Sequence, residues 1–123
     1  MRRWWLGYRA KQFTKPPFAV VPRATMEELP AVQRSRPEMK DFYRFNLSVD
    51  IPSPHRDSVK KVIYYMDHPS FRRTELVGDG GRPDFRASYM GYGALSRVRI
   101  HIQMADGSEY ETEFNQRRAL RAR

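Results

Sequence analysis

Cysteine is missing altogether from these 123 residues. That absence removes disulfide frameworks, thiolate-held zinc and thiol nucleophiles together, and it leaves the redox compartment unmarked. No apolar run approaches the roughly 18–20 residues that a membrane-spanning helix needs. The three histidines, His55, His68 and His101, stand far apart and lack the spacing of metal ligands, so no metal is expected. The turn Gly78-Asp79-Gly80-Gly81 lacks the Lys and Ser/Thr that follow a phosphate-binding loop. His68 and Ser70 have no nucleophile elbow beside them. These absences point away from catalysis and from any cofactor, toward a binding or assembly module.

Acidic residues are the next thing in short supply, and only locally. Residues 1–26 contain Arg2, Arg3, Arg9, Lys11, Lys15 and Arg23 and no acid, a charge of +6. Arg117, Arg118, Arg121 and Arg123 add +4 at the other end. The whole chain carries +9, so residues 27–116 carry −1. A surface shaped for nucleic acid spreads its cations over one folded face. Two basic tails on a neutral body instead resemble arms that reach along a polyanion, as in ribonucleoprotein assemblies. Simple solubility is the other reading of the same charges.

Within residues 1–40, Pro16, Pro17, Pro22, Pro30 and Pro37 break helices and favour extended backbone. Thr25, followed by Glu27, Glu28 and Leu29, caps at most one helical turn before Pro30. Trp4, Trp5, Tyr8, Phe13 and Phe18 are interleaved with the cations, a pattern that stacks on bases or docks on a protein surface. The acid-free start shares its composition with mitochondrial targeting segments. Residues 1–26 have no serine, however, and the prolines spoil the amphipathic helix such segments form. Cytoplasm and mitochondrial matrix both stay open.

From residue 41 the hydrophobic period becomes two. Tyr43, Phe45, Leu47, Val49 and Ile51 alternate with polar residues, giving a half-buried antiparallel strand that Pro52 and Pro54 end. A second strand carries Val62, Tyr64 and Met66 inward and stops at Asp67-His68-Pro69. Shorter strands are expected at Thr74–Val77 and near Asp84–Tyr89. In the last hairpin, a two-residue Asp106-Gly107 turn would bring opposite faces together. A three-residue loop, Ala105-Asp106-Gly107 with Gly107 left-handed, pairs Ile102 with Tyr110, Ile100 with Thr112 and Val98 with Phe114. It also sets Arg99 against Glu113, His101 against Glu111 and Gln103 against Glu109. About six strands and no helix result, with residues 1–40 an arm, 41–116 the folded body and 117–123 a basic tail. Turn signals at short intervals fit an antiparallel sandwich or a partly open barrel.

Residues 59–95 resemble the YEATS family in its prokaryotic branch. The matching text is Val59-Lys60-Lys61-Val62-Ile63-Tyr64-Tyr65-Met66, then His68-Pro69-Ser70-Phe71, then Gly91-Tyr92-Gly93-Ala94-Leu95. The resemblance implies an all-β fold: a small immunoglobulin-like antiparallel sandwich, here with an extended basic arm, whose end loops bind acylated lysine. It would make Phe71 and Tyr92 the rings that hold the flat acyl-amide, Ser70 the hydroxyl that bonds the amide, and His68 a shaping wall. Gly91 and Gly93 flank Tyr92, whose backbone N–H would meet the acyl carbonyl. Asp67 stands as an extra residue before His68, Arg72 where the family usually has proline, and Leu95 where it often has phenylalanine. Arg72 and Arg73 bring two cations to the rim, which disfavours a basic peptide.

Each site residue also has a plainer role open to it: Tyr92 a packed corner, Phe71 a core anchor, Ser70 a local turn bond, His68 an oriented loop residue. Two partners are therefore expected. One is an acylated lysine peptide at the loops. The alternative is a large assembly, ribosomal or organellar, in which the sandwich is scaffold. In that case Arg2, Arg3, Trp4, Trp5, Arg9, Lys11, Lys15 and the C-terminal arginines contact RNA or neighbouring proteins.

Overall fold

The alternating pattern builds two facing sheets. A computed structural model describes residues 13–29, 43–66, 75–91 and 93–121. Among them are seven strands: β1 (Val21–Glu28), β2 (Tyr43–Asp50), β3 (Val59–Tyr65), β4 (Glu75–Val77), β5 (Ala87–Gly91), β6 (Val98–Met104) and β7 (Glu109–Phe114). A 3-10 turn, His55–Ser58, precedes β3, and helix α1 (Gln116–Arg121) follows β7. One sheet has the order β1-β2-β5 and the other β4-β3-β6-β7, with every pairing antiparallel. The chain crosses between the sheets from β2 to β3, from β4 to β5 and from β5 to β6, and β4 extends the β3-β6-β7 sheet at its edge. This is an immunoglobulin-like sandwich.

The core follows from the period of two. Phe45, Leu47, Val49 and Ile51 from the smaller sheet meet Val62, Tyr64, Val98, Ile100 and Ile102 from the larger one, all 0–1% exposed. The β6–β7 hairpin has the expected register, Ile102 opposite Tyr110 and Val98 opposite Phe114. Gly107 sits at φ 92°, where a side chain is strained, and the Met104 N–H donates to the Ser108 carbonyl across the loop at 2.8 Å. On the outer face the ion pairs run diagonally, Arg97 to Glu113 (2.7 Å) and Arg99 to Glu111 (3.3 Å), while the His101 ring lies between Glu109 (2.9 Å, diagonal) and the directly opposite Glu111 (3.5 Å). Strand twist brings such diagonal neighbours within reach of long side chains.

A second tight junction lies where β4 turns toward β5. Phe85, buried, has φ 49°. Its carbonyl accepts the Tyr64 hydroxyl at 2.8 Å. A Cβ on Gly78 would stand 2.5 Å from that same carbonyl oxygen, so only glycine fits there.

Two sequence expectations need correction. Residues 21–28 form no helical turn at Thr25; they pair along their whole length with β2, from Val21 opposite Asp50 to Glu28 opposite Tyr43. The pattern is hidden because an edge strand buries little: only Ala24 is enclosed within β1. The expectation of no helix also fails, since residues 116–121 form α1. Its amphipathic face is too short for periodicity to show, yet Gln116 is wholly buried and Ala119 and Leu120 pack against the core.

Residues 13–20 fold around the β7 edge. The Glu111 N–H donates to the Thr14 carbonyl at 3.0 Å, which occupies part of an otherwise open strand edge. The Phe13 ring stands edge-on to His101 at 4.5 Å, and Phe18 stacks on His55 at 4.9 Å. His101, although on the outer face of its sheet, is therefore buried at 5% exposure.

Candidate functional site

The register places three connections at one end of the sandwich. Tyr65, the last residue of β3, lies opposite both Arg99 near the start of β6 and Glu75 at the start of β4. Gly91, ending β5, lies opposite Tyr43 at the start of β2. Glu28, ending β1, lies opposite that same Tyr43. The β1–β2, β3–β4 and β5–β6 connections therefore leave the sheets at a common end, and Phe114, opposite Val98, sends the chain into α1 there too.

Gln116 organises this end. Its Oε1 accepts the Leu95 N–H at 2.8 Å and the Tyr89 hydroxyl at 3.1 Å. The Gly93 carbonyl lies 3.4 Å from the same hydroxyl. The Arg117 N–H donates to the Leu95 carbonyl at 3.0 Å, and its guanidinium donates to the Ala94 carbonyl at 3.2 Å. Residues 93–95 are thus clamped from below and from one side. Burial raises the pKa of Tyr89 above its ordinary value, so the phenol stays a neutral donor. Gln116 Nε2 is buried without a hydrogen-bond partner.

Beside residues 93–94 lies an open groove of about 590 Å³. Met26, Tyr43 and Phe45 of the smaller sheet line it together with Leu120, and Arg117 and Arg121 of α1 flank it. Spacing in the sequence did not reveal this groove, because Met26 lies on an edge strand and Leu120 on a helix that periodicity missed. Tyr43 was legible only as one more inward residue of β2.

Of the residues expected to form the slot, His68, Ser70, Phe71 and Tyr92 lie outside the described residues. Gly91 and Gly93 bracket Tyr92 at this end; a Cβ on Gly91 would make an ordinary 3.5 Å contact with the Tyr89 ring, and one on Gly93 would meet nothing within 4 Å. Of the basic contacts expected, Arg2, Arg3, Trp4, Trp5, Arg9, Lys11 and Arg123 also lie outside. Lys15 is exposed beside the β7 edge, and Arg117, Arg118 and Arg121 are exposed along α1. Among the described residues no His, Asp and Glu cluster has the geometry of a metal site. No helix there is long and apolar enough to cross a membrane.

An immunoglobulin-like sandwich is a scaffold whose end loops can carry a site, and which site it carries is a matter of those loops. The chain belongs to the prokaryotic YEATS domain family, whose sequence model matches residues 43–117. The match runs from the first residue of β2 into α1, and so includes Gln116 and Arg117. Membership makes the protein a binding module, with a protein or peptide as the kind of partner it suits. No curated protein matches the chain.

Proposed function

We propose that the protein binds a peptide through an acylated lysine, at the slot formed by the β3–β4 and β5–β6 connections. Phe71 and Tyr92 hold the flat, neutral acyl-amide between their rings. The Ser70 hydroxyl bonds to the amide, His68 shapes the wall, and the Tyr92 N–H meets the acyl carbonyl, with Gly91 and Gly93 leaving the backbone open to approach. Aromatic faces suit an uncharged π-system, and one or two polar groups are enough to orient it. The observation that carries the reading is the common exit of the two connections, fixed by Tyr65 opposite Arg99 and by Gly91 opposite Tyr43.

The test is calorimetric titration of the full chain with acetyl-lysine and crotonyl-lysine peptides beside the unmodified peptide. Saturable binding that requires the acyl group and disappears in Tyr92→Ala is expected. Absence of binding, or binding that Tyr92→Ala leaves unchanged, overturns the reading.

A further inference from the structure

The groove between α1 and the smaller sheet combines two features that no residue of the proposed slot explains. The first is apolar surface left uncovered on an inward face. Met26 lies opposite Phe45, whose side chain is in the core, so Met26 also points to the inside of the sandwich. Yet Met26 is 44% exposed, while Ala24, two residues earlier on the same face, is 7% exposed. The larger sheet does not reach this corner. Leu120 covers part of it, and the remaining gap is the groove.

The second feature is unmatched positive charge. Five arginines of the strands and turns have carboxylate partners: Arg23 with Asp50, Arg44 with Glu27, Arg86 with Asp84, Arg97 with Glu113 and Arg99 with Glu111. Arg117, Arg118 and Arg121 on α1 have none among the described residues. Arg117 and Arg121 are four apart on a helix, so they share a face, and that face borders the groove.

We infer that this groove is a docking site for an acidic peptide segment that carries a large apolar side chain. The apolar side chain enters between Met26, Tyr43 and Leu120, and flanking carboxylates pair with Arg117 and Arg121. Arginine suits such a role because its planar fork takes a carboxylate in two parallel hydrogen bonds. A nucleic acid fits less well. Phe45 is 1% exposed and already stacked on Tyr89 at 5.0 Å, and its ring is tilted 60° from Tyr43, so the floor offers no paired faces for bases. The groove borders the proposed acyl-lysine slot at Gly93, but the side chains assigned to the acidic peptide are none of those assigned to the slot.

The probe is a fluorescein-labelled, unacylated hexapeptide, Glu-Asp-Phe-Leu-Glu-Asp, titrated with the full chain and followed by anisotropy. Saturable binding is expected, weakened about tenfold or more by Arg121→Glu and retained by Arg121→Lys. Arg82→Glu makes the same charge change in the turn at the opposite end of the sandwich and should weaken binding less than about twofold. Replacing Phe and Leu of the probe by Ser, or Met26→Ser in a variant whose melting is unchanged, should also weaken binding about tenfold. Equal losses in Arg82→Glu and Arg121→Glu overturn the site in favour of unspecific attraction. An undiminished Ser probe overturns the apolar part. So does an Arg121-dependent complex with a uridine dodecamer where the hexapeptide fails, or a self-association that Arg121→Glu abolishes. Tyr92→Ala, which should abolish acyl-lysine binding, should leave the hexapeptide bound, so the two sites can fail separately.

Discussion

Tyr89 donates its hydroxyl proton to Oε1 of Gln116 across 3.1 Å, tying the end of β5 to the first residue of α1. The same oxygen takes the Leu95 N–H, so one buried amide holds a strand, a loop and a helix together. The segment it fixes, residues 93–95, contributes Gly93 and Ala94 to the lining of the groove beside α1.

Gln116→Leu removes that acceptor, strands the part-buried Leu95 N–H and leaves the Tyr89 hydroxyl only the longer approach to the Gly93 carbonyl at 3.4 Å. A loss of about 2 kcal/mol is expected, since each unsatisfied buried group costs roughly 1–3 kcal/mol and the orphaned Nε2 disappears in return. Denaturant unfolding measures the loss. Hydrogen exchange should show the Leu95 amide opening well before the β6 amides.

Gly78→Ala should destabilise the fold by about 1–3 kcal/mol, because the new Cβ would press on the Phe85 carbonyl, 2.5 Å away, in a packed junction. Gly80→Ala, two residues on, meets nothing within 4 Å and should be close to neutral. Thermal melts of the two variants separate a steric demand for glycine from a general preference for it in turns.

Stability should fall as the solution becomes alkaline. Burial, reinforced by the Asp84 carboxylate, raises the Tyr64 pKa far above its ordinary value of 10.0. The unfolded chain then loses this proton at about pH 10 while the folded chain keeps it, so the unfolded state binds fewer protons and unfolding becomes easier. The stabilisation is whole below about pH 10 and declines above it, by about 1.4 kcal/mol per pH unit for each such tyrosine. In Tyr64→Phe the curve should start lower, for want of the bond to the Phe85 carbonyl, and fall less steeply above pH 10. Equal slopes would place the alkaline effect elsewhere.

Removing residues 1–18 should cost about 1–3 kcal/mol, because it uncovers His101 and frees the Glu111 N–H at the β7 edge. Phe13→Ala alone should give part of that loss. A truncated chain that melts like the full one would mean that the strap contributes nothing to the sandwich.

Much of the molecule was legible because a half-buried strand writes its faces into alternate residues. The β6–β7 register could be read from Ile102, Tyr110 and the three-residue loop, since any slip would have turned an apolar face to water. The core residues of β2 and β3 followed in the same way. β1 did not, because an edge strand with one enclosed residue, Ala24, leaves no alternation to read. α1 did not either: six residues are under two turns, and arginines occupy much of its surface.

The sequence by itself determined the strand faces, the hairpin register, the charge of the two tails and the family motifs. Those are local properties, set by side-chain period and turn chemistry within a few residues. Tertiary structure alone decided that Tyr89 and Gln116 meet, that Phe13 covers His101, and that Met26, Tyr43, Leu120 and Arg121 border one groove. Each of those contacts joins segments far apart along the chain, brought together when two sheets bury a shared core, and no period in the sequence encodes such a distance.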